Sequence, residues 1–354
     1  MTRVLLFGSA PPPQGGIQQH GVRLLGYLRE QGLDAVLLDY NGRHRSEGVH
    51  PISKGFVNTI RAVRKHQPDI IHSHAYHWAT NIAIGLLGRM GVCKTVVTIH
   101  GESFFDGVKP WVLPALKQAM RQFDAVIADN DLLRAWAVDE AGVDPTRVVV
   151  DHAFLPPTRA QQSPELLPDE VQQFLNAHHP TLLVNGKIAT FRGQDKYGIR
   201  HAVAAAAQLK EKYPRLGLIF VLTNIQHSKE EKVLRKAIAD ADLGNAFLWV
   251  EGLPELVPLI AKSDVLLRPT ATDGDSLIVR EGLMANTPVV ATDVVKRPAG
   301  VRCFSYGDVD GLADQVSAAL EADPNLTATP QQPVHVGNAI LDIYTQALAT
   351  PTRR

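Results

Sequence analysis

Three acidic side chains lie close together in the segment ATDGDSLIVREGL, residues 271–283. Asp273 and Asp275 flank Gly274, and Glu281 follows Asp273 by eight positions. Carboxylates are ligands that Mg²⁺ prefers, so the Asp-Gly-Asp triplet is compatible with half of a metal site. Two spaced carboxylates can instead accept hydrogen bonds from the hydroxyl groups of a sugar nucleotide. The segment therefore offers two chemistries, and only one of them needs a metal ion.

The surrounding residues favour the chemistry without metal. The apolar run DVLLRP, residues 264–269, predicts a strand, and SLIVREGLMA after the acidic loop predicts a helix that ends near Asn286. Glu281 then lies about two turns along the helix from the loop. The backbone amides of residues 274–276 lie at the start of the helix, where they attract anions. We therefore expect Asp273 to hold a sugar and Glu281 to hold a ribose, with no metal ion.

A second segment carries three cations among glycines. Lys187, Arg192 and Lys196 follow the apolar run Leu182–Asn185 in the sequence VNGKIATFRGQDKYGIRHAV. Cations on a flexible backbone suit a diphosphate, which needs charge neutralisation and several hydrogen-bond donors. A basic loop in solvent is an equal alternative on this segment alone.

A pair of glycines follows the first predicted strand. The sequence GSAPPPQGGIQQH, residues 8–20, does not match the G-x-G-x-x-G pattern of dinucleotide-binding folds. Gly15 and Gly16 open a predicted helix, so their backbone can approach a phosphate closely. A plain tight turn is the alternative.

Histidines follow two further predicted strands. The sequence IIHSHAYHW contains His72, His74 and His77, which invites a zinc interpretation, but no acidic ligand lies at a convincing spacing and we expect no metal there. His100 ends the strand in TVVTIHG, a position from which it can bind a hydroxyl group or a developing charge. A buried, hydrogen-bonded histidine is the alternative interpretation of His100.

Composition excludes several classes of protein. The chain has 354 residues, 45% of them hydrophobic, and 36 basic residues balance 36 acidic ones, so nothing indicates nucleic-acid binding. The two cysteines, Cys93 and Cys303, predict buried thiols in a reducing cytoplasm rather than a disulfide. No segment approaches the roughly 20 apolar residues of a membrane span, and the N-terminal apolar run is too short for a signal peptide.

Short apolar runs alternate with amphipathic stretches in both halves of the chain, which predicts two doubly wound parallel-sheet α/β domains. The segment 154–180 is rich in Pro, Gln and charge, so we place a linker there, with an N-terminal domain at 1–160 and a C-terminal domain at 161–335. A terminal helix at 336–350 is expected to pack back on the first domain. Ligands bind beyond the carboxyl ends of parallel strands, so we expect the site in a cleft between facing domains. The predicted strands are Val4–Phe7, Ala35–Leu38, Ile70–His72, Val96–His100, Val126–Ala128, Val148–Val150, Leu182–Asn185, Leu218–Leu222, Phe247–Val250, Val265–Arg268, Val289–Ala291 and Val301–Phe304.

Together these segments resemble the retaining GT-B glycosyltransferases of family 4 (group 1). The resemblance rests on Gly15-Gly16, IIHSH, TIHGESF, the basic loop and DGDSLIVREGLMANTPVVATD, in this order along most of the chain. It implies two Rossmann-like domains, and transfer of a hexose-type sugar from a nucleotide-diphospho-sugar to an acceptor hydroxyl. A UDP-sugar is the expected donor, and no cofactor, metal ion or protein nucleophile is required.

The resemblance also assigns roles to individual residues. It implies that Glu281 holds the ribose and that Asp273 contacts the transferred sugar. The amides of Gly274, Asp275 and Ser276 would lie near that sugar and the phosphates. Lys187, Arg192 and Lys196 are the candidates to neutralise the diphosphate, while His100 lies near the reacting centre and Gly15-Gly16 approach the phosphates or the acceptor.

This chain departs from the family pattern in three places. The first acid is Asp273 rather than Glu, the usual Gly-Arg and Lys-Gly pairs are replaced by Gly186-Lys187 and a longer spacer to Lys196, and VVDHAFLPP stands where Asn-Gly is usual. The last of these variants, together with TDGDS and the later VVKRPAGV, is similar to the enzymes of polysaccharide assembly. Two alternatives remain, a nucleotide-sugar epimerase on the same fold and a sugar-nucleotide-binding protein without turnover.

The acceptor expected from this resemblance is a sugar, a lipid-linked molecule or another small molecule, and the oligomeric state is not predicted. The segment KPWVLPALKQAMRQF, residues 109–123, is basic and amphipathic, as are segments that rest on anionic lipid. A helix that faces the core with a solvated basic side is the favoured interpretation. The expected location is cytoplasmic, with the inner face of the membrane as the alternative.

Overall fold

A computed structural model describes the chain at residues 1–11, 15–40, 47–74, 77–100, 108–151, 154–158, 160–225, 228–253, 255–274, 276–322 and 337–351. The chain forms two compact units. The first is Met1–Leu155 together with His335–Arg354, and the second is Pro156–Val334. The linker predicted at 154–180 therefore begins where the units divide, a few residues before the predicted boundary at 160–161.

The first unit is built on a seven-stranded parallel sheet with the strand order β3-β2-β1-β4-β5-β6-β7. The order reverses beside β1, which is the kind of switch point where open α/β sheets bind ligands. Its strands are β1 (Arg3–Gly8), β2 (Asp34–Asp39), β3 (Val49–Pro51), β4 (Ile70–Ser73), β5 (Lys94–Ile99), β6 (Ala125–Ala128) and β7 (Val148–Val150).

Helices cover both faces of this sheet. Along β1, Leu5 and Phe7 point into one core while Val4 and Leu6 point into the other, which explains the continuous apolar run. The helices of this part of the chain are α1 (Gly16–Glu30), α2 (Phe56–His66), α3 (Trp78–Arg89), α4 (Leu113–Met120) and α5 (Asp131–Ala135), with a π-helical turn at Trp136–Glu140 and a 3₁₀ turn at Pro145–Arg147.

The second unit has a six-stranded parallel sheet with the order β12-β11-β8-β13-β14-β15 and a small antiparallel hairpin, β9-β10. Its strands are β8 (Thr181–Ile188), β9 (Thr190–Phe191), β10 (Gln194–Asp195), β11 (Gly217–Ile225), β12 (Phe247–Glu251), β13 (Val265–Arg268), β14 (Val289–Thr292) and β15 (Arg302–Phe304). Its helices are α6 (Asp169–Ala177), α7 (Ile199–Lys212), α8 (Ser228–Asp240), α9 (Val257–Ile260), α10 (Leu277–Met284) and α11 (Val309–Leu320), with 3₁₀ turns at Ala160–Gln162, Pro164–Leu166 and Gly244–Ala246.

The last helix, α12 (Gly337–Ala349), belongs to the first unit. Ile340, Ile343 and Tyr344 are buried in the core that also contains residues of α1 and β1. The Tyr344 hydroxyl is 2.7 Å from Nδ1 of His72, a buried contact that fastens the helix to β4.

The prediction of two parallel-sheet α/β domains is confirmed by these two sheets. The predicted strands all occur, but three short ones were missed, namely β3 with its proline and the hairpin strands β9 and β10. β8 also continues beyond Asn185, because it pairs with β11 as far as Ile188 and passes an irregularity between Leu222 and Asn224. Gly186, Lys187 and Ile188, which the sequence predicted to follow the strand, therefore belong to it.

Candidate functional site

The loop between β13 and α10 contains a buried ionic cluster around Asp273. Arg268 donates to both carboxylate oxygens, from Nε at 3.0 Å and from Nη2 at 2.8 Å. Arg297 donates from Nη1 to Oδ2 at 2.8 Å. The side chains of Asp273 and Arg297 are only 7% and 3% exposed. Two guanidinium groups thus surround one carboxylate, which leaves the cluster with an excess of one positive charge.

The protonation of Asp273 follows from this geometry. Burial alone raises the pKa of Asp273, but the charges and hydrogen bonds of Arg268 and Arg297 lower it further, so the net shift is downward. Asp273 is therefore ionised at neutral pH, and its oxygens are hydrogen-bonded to arginine. The predicted contact with a sugar would be made by a carboxylate that is already part of an ion cluster.

Arg268 and Arg297 are site residues that sequence reasoning missed. Arg268 lies at the end of a buried strand, and its guanidinium lies 5.3 Å from the centre of the Tyr197 ring. Arg297 is held by the backbone of β14, since its Nε donates to the Thr292 carbonyl at 2.8 Å. The sequence does carry a signal for Arg268, because it is the charged last residue of the otherwise apolar run VLLR.

The start of α10 is organised as the sequence predicted. Ser276 is the residue before the helix, it is 8% exposed, and its Oγ has no hydrogen-bond partner within the described parts of the chain. Gly274 is exposed, and a Cβ there would meet no atom within 4 Å. Asp275 lies outside the described residues. A buried hydroxyl and an open glycine therefore lie beside the helix N-terminus.

Glu281 lies in α10 and is 4% exposed. The helix packs closely on the sheet at Gly282, where a Cβ would come within 2.8 Å of the Leu266 and Val289 side chains. It ends as expected, because Asn286 has a left-handed backbone with φ of 57°. Glu281 is thus rigidly placed, and its predicted contact with a ribose remains a prediction.

The basic loop brings two of its three cations together. Burial lowers the pKa of Lys187, and the charge of the nearby Lys196 lowers it further. Neither ammonium group has a carboxylate partner among the residues that the structure describes. Arg192 lies at the exposed tip of the hairpin β9-β10, with its guanidinium 5.1 Å from the centre of the Phe191 ring.

The basic loop and the Asp273 loop are joined within the second unit. The amide of Ala271 donates to the carbonyl of Lys196 at 3.0 Å. Gly198 has φ of 63°, and a Cβ there would lie 1.7 Å from the carbonyl oxygen of Pro269. The sequence therefore needs glycine at 198, so that the two loops can touch.

His100 is in the first unit and directly follows β5. Its Nδ1 is 3.3 Å from Oδ2 of Asp129, and its Nε2 is 3.0 Å from Nδ1 of His74. Both ring nitrogens are thus within reach of protein groups. The sequence alone did not predict Asp129, although it follows β6 as His100 follows β5.

The histidines near the ends of β4 and β5, together with His20, fall into two groups. His20 of α1 lies with its ring centre 4.9 Å from that of His74 and 5.0 Å from that of His100. One ring nitrogen of each of these three lies within 4.8 Å of those of the other two, which makes them a candidate metal-ligand set. His72 contacts Thr98 and Tyr344 instead, and His77 stacks on Trp78.

Among these histidines, His72 and His74 are electrically neutral. Burial lowers the pKa of His72 and of His74 well below the ordinary value, and the neighbouring histidines lower both further. Neutral imidazoles carry one proton and one lone pair each, so they can donate once and accept once, or bind a metal ion.

Gly15 directly precedes α1, and Gly16 is the first residue of the helix. Gly15 has an extended backbone with φ of −173°, and a Cβ on Gly16 would meet no atom within 4 Å. The backbone at Gly16 is therefore open to a close approach.

The basic segment 109–123 forms α4 and its flanks. Leu116, Ala119 and Met120 of α4 face the core, while Trp111 before it is 71% exposed with the Lys109 ammonium 6.0 Å from its ring centre. The helix thus has the core-facing arrangement that the sequence favoured, with an exposed tryptophan beside it. Within the described residues, we find no helix with the length and apolar character needed to cross a bilayer.

Known proteins share both halves of this chain. Residues 14–154 match the sequence model of Glycosyltransferase Family 4, and residues 180–322 match that of Glycosyl transferases group 1. A D-inositol 3-phosphate glycosyltransferase of Pseudarthrobacter chlorophenolicus is 27% identical over 294 residues, which are 75% of this chain and 64% of that relative. The aligned region thus spans less than two thirds of the relative's length.

Solved structures show the same fold. The crystal structure of a glycosyltransferase from Rickettsia africae has a TM-score of 0.74 at 15% identity and covers 99% of both chains. The HepE protein of Anabaena in complex with UDP-glucose has a TM-score of 0.70 at 13% identity and covers 98% of both chains. The predicted GT-B fold is confirmed.

Proposed function

The chain belongs to the glycosyltransferase family 4 and group 1 families, and from that premise we propose that it is a retaining glycosyltransferase. Its donor is a nucleotide-diphospho-sugar with a hexose-type sugar, and its acceptor carries a free hydroxyl group. The reaction breaks the bond between the anomeric carbon and the diphosphate, and it forms a new bond from that carbon to the acceptor oxygen. The acceptor proton passes to the leaving phosphate, so no protein nucleophile is needed.

One observation carries this proposal, namely the cationic pair Lys187 and Lys196 beside the Asp273 loop. Two ammonium groups without a described carboxylate partner repel each other, and the lowered pKa of Lys187 reflects both its burial and that repulsion. A diphosphate would relieve the repulsion by pairing with both groups. The amides at the start of α10 add a favourable site for an anion.

The donor is expected to bind without a divalent cation. Asp273 is already neutralised by Arg268 and Arg297, so it has no unbalanced charge with which to hold Mg²⁺. The positive charges of the lysines and arginines take the place that a metal ion has in other nucleotide sites. In this proposal Asp273 contacts the sugar through the ion cluster, and Glu281 binds the ribose.

His100 is assigned to the reacting centre. An imidazole there can bind a hydroxyl group of the sugar or stabilise developing charge. We expect His100→Ala to lower kcat by at least about tenfold and to change donor affinity by less than about twofold. Steady-state kinetics together with donor calorimetry separate the two effects, and an unchanged kcat would return His100 to a purely structural role.

UDP is the proposed nucleotide, since the structurally similar HepE protein was crystallised with UDP-glucose. The proposed role is in polysaccharide or other glycoconjugate synthesis. It is supported by the departures from the family pattern described above. An epimerase on the same fold remains the second candidate. It would convert the donor sugar without any acceptor, so product analysis of donor incubated alone distinguishes it.

The first test is a thermal-shift panel of UDP-, GDP-, ADP- and dTDP-sugars, each with and without a chelator. A ligand that binds the folded protein raises its melting temperature. We expect one nucleotide class to stabilise the protein and the chelator to leave that increment unchanged. An increment abolished by chelator would overturn the metal-free donor site, and no response to any nucleotide sugar would remove the support for a sugar-nucleotide donor.

A contact with the inner face of a membrane is proposed through Trp111 and the basic residues of 109–123. An exposed tryptophan beside cations suits the headgroup region of anionic lipid. Co-flotation with vesicles that contain anionic lipid should decrease when Trp111 and Lys109 are both replaced by alanine. Equal flotation of the two proteins would exclude this contact.

A further inference from the structure

Three neighbouring strands of the first unit place a polar side chain directly after their carboxyl ends. β4, β5 and β6 are adjacent in the sheet, and Ile99 is in register with Ala128. His74 follows β4, His100 follows β5 and Asp129 follows β6. The result is a row of contacts, 3.3 Å from Asp129 Oδ2 to His100 Nδ1 and 3.0 Å from His100 Nε2 to His74 Nδ1.

The positions of the protons in this row follow from what each group can donate. An ionised carboxylate only accepts, so Asp129 requires a proton on Nδ1 of His100. With one proton on the ring at Nδ1, the lone pair of His100 lies on Nε2. The contact with His74 needs one proton, and Nδ1 of His74 must supply it. Asp129 thereby determines the tautomer of both histidines.

Apart from His100, the carboxylate of Asp129 has few partners in the described structure. Its side chain is 12% exposed, and its second oxygen, Oδ1, has no hydrogen-bond partner within the described residues. An ionised carboxylate that is nearly buried and holds few partners is destabilising by itself. Such a group is better explained by what it does to His100 than by a contribution to stability.

Two further histidines pack around the row. His72 lies with its ring centre 4.1 Å from that of His74, but its nitrogens contact Thr98 and Tyr344. His20 packs against both members of the row from α1. Asp129 is thus the single acid that the described structure places against His100.

We propose that Asp129 is a positioning residue, which with His74 holds His100 as the Nδ1-protonated tautomer with its Nε2 lone pair kept for a ligand hydroxyl. A hydroxyl group reaches this lone pair by replacing Nδ1 of His74. This inference rests on the proposed glycosyltransferase function, because it concerns how His100 acts in that reaction.

A metal ion at His20, His74 and His100 is the competing explanation, since Asp129 would then support a ligand as carboxylates do around zinc. Two nitrogens bound to one tetrahedral zinc at 2.0–2.1 Å lie roughly 3.3 Å apart. The 3.0 Å between His74 and His100 has the length of a hydrogen bond instead. The observations therefore favour a shared proton over a shared metal ion.

The test compares Asp129→Asn with Asp124→Asn in the full chain. Asp124 directly precedes β6, whereas Asp129 directly follows it. Asp124 accepts hydrogen bonds from Thr95, so it is a matched structural control. With the donor found by the thermal-shift panel, we expect Asp129→Asn to lower kcat by at least about tenfold with donor KM within about twofold. Asp124→Asn should leave kcat within about twofold, even where it lowers the melting temperature.

A second measurement reads the tautomer directly. In ¹⁵N-histidine-labelled protein we expect His100 to be protonated on Nδ1, and Asp129→Asn to shift it toward Nε2 protonation. An active enzyme whose kcat and His100 signals are unchanged by Asp129→Asn would overturn the inference. If wild type shows no transfer with any donor, the proposed function fails, while the tautomer measurement still decides the role of Asp129.

Cobalt titration decides between the proton and the metal ion. We expect no stoichiometric Co²⁺ absorption band from the protein. A band at one equivalent that disappears in His20→Ala would establish a metal site and overturn the hydrogen-bonded row.

Discussion

At the scale of single residues, the two carboxylates that the sequence singled out differ in their surroundings. Asp273 is ionised and fixed by three hydrogen bonds from Arg268 and Arg297, whereas Glu281 is buried in a helix. Their spacing in the sequence indicated a shared task, but not that one of them would be enclosed by arginines. Each can therefore be tested by a different measurement, stability for Asp273 and affinity for Glu281.

We expect Asp273→Asn to lower the free energy of unfolding by about 3–5 kcal/mol, because it leaves two buried guanidinium groups without their carboxylate. Calorimetric or denaturant unfolding measures the loss. Asp293→Asn is the control, since Asp293 is exposed and accepts from Ser305, and we expect it to change stability by less than about 0.5 kcal/mol. Equal effects of the two changes would contradict the importance of the ion cluster.

The ion cluster around Asp273 also predicts that the free energy of unfolding depends on pH. The pKa of Asp273 is lowered in the folded protein, so its contribution to stability is complete above its ordinary pKa and is lost as the pH falls through the lowered value. The difference in unfolding free energy between wild type and Asp273→Asn should therefore be constant near neutral pH and shrink below about pH 4. A difference that grows on acidification would have the wrong sign.

Glu281→Ala should weaken donor binding by about 1.5–3 kcal/mol, the usual value of a hydrogen bond to a charged group, or roughly 10- to 150-fold in Kd. Calorimetry with the stabilising nucleotide sugar measures it. Glu251→Ala is the control, because Glu251 lies at the end of the edge strand β12 and accepts from Trp249. Unchanged nucleotide affinity in Glu281→Ala would refute its role.

At this scale the sequence does not show which side chains contact one another. Arg268 and Asp273 are five residues apart and Arg297 lies 24 residues beyond Asp273, and only the order of β13, α10 and β14 brings them together. The row of His74, His100 and Asp129 has the same origin, because its members come from three strands. Residue type indicated the chemistry, but the contacts depend on the sheet.

At the scale of elements, the second unit holds its candidate site through the contact between two loops. The hairpin β9-β10 and the turn before α7 bring Lys196 against the loop after β13. Parallel strands were predictable because they are apolar throughout. The hairpin was not, since its two-residue strands carry too short a pattern to recognise.

Gly198→Ala should therefore be far more damaging than Gly193→Ala. Both glycines have positive φ, 63° and 77°, so both substitutions incur about 1 kcal/mol of backbone strain. Only at Gly198 would a Cβ also meet a carbonyl oxygen, that of Pro269, whereas nothing lies within 4 Å at Gly193. The melting temperature should fall much further in Gly198→Ala than in Gly193→Ala, and donor affinity should fall clearly only in Gly198→Ala. Similar values for both variants would exclude a role for the loop contact.

The helix α12 offers a second comparison. Tyr344→Phe removes the partner of the buried Nδ1 of His72 and should lower the free energy of unfolding by about 1–3 kcal/mol. Tyr27→Phe removes an exposed contact with Asn338 on the same helix, and we expect a smaller loss of about 0.5 kcal/mol. Denaturant unfolding of both variants checks the order, and a larger loss for Tyr27→Phe would contradict it.

At the scale of the whole molecule, the chain consists of two units with separate cores. Two arrays of alternating strands and helices were sufficient to predict this organisation. The exact division was less accessible, because the segment after Leu155 contains 3₁₀ turns and α6 rather than a plain linker. The irregular composition of residues 154–180 indicated a change of unit but not its position.

If the lysine pair and α10 bind the nucleotide, UDP alone should slow hydrogen exchange mainly in the second unit. We expect protection in β8, in the loop after β13 and in α10, because a ligand suppresses local opening where it binds. Exchange mass spectrometry with and without UDP measures this. Protection confined to the first unit would place the nucleotide elsewhere.

The position of α12 has a consequence for synthesis of the chain. Ile340, Ile343 and Tyr344 complete a core whose other members lie before residue 156. The ribosome must therefore make the whole second unit before the first can close, and at roughly 5–20 residues per second those roughly 180 residues take about 10–35 s. During that interval the apolar residues of the nascent first unit that α12 later covers lack their packing partners.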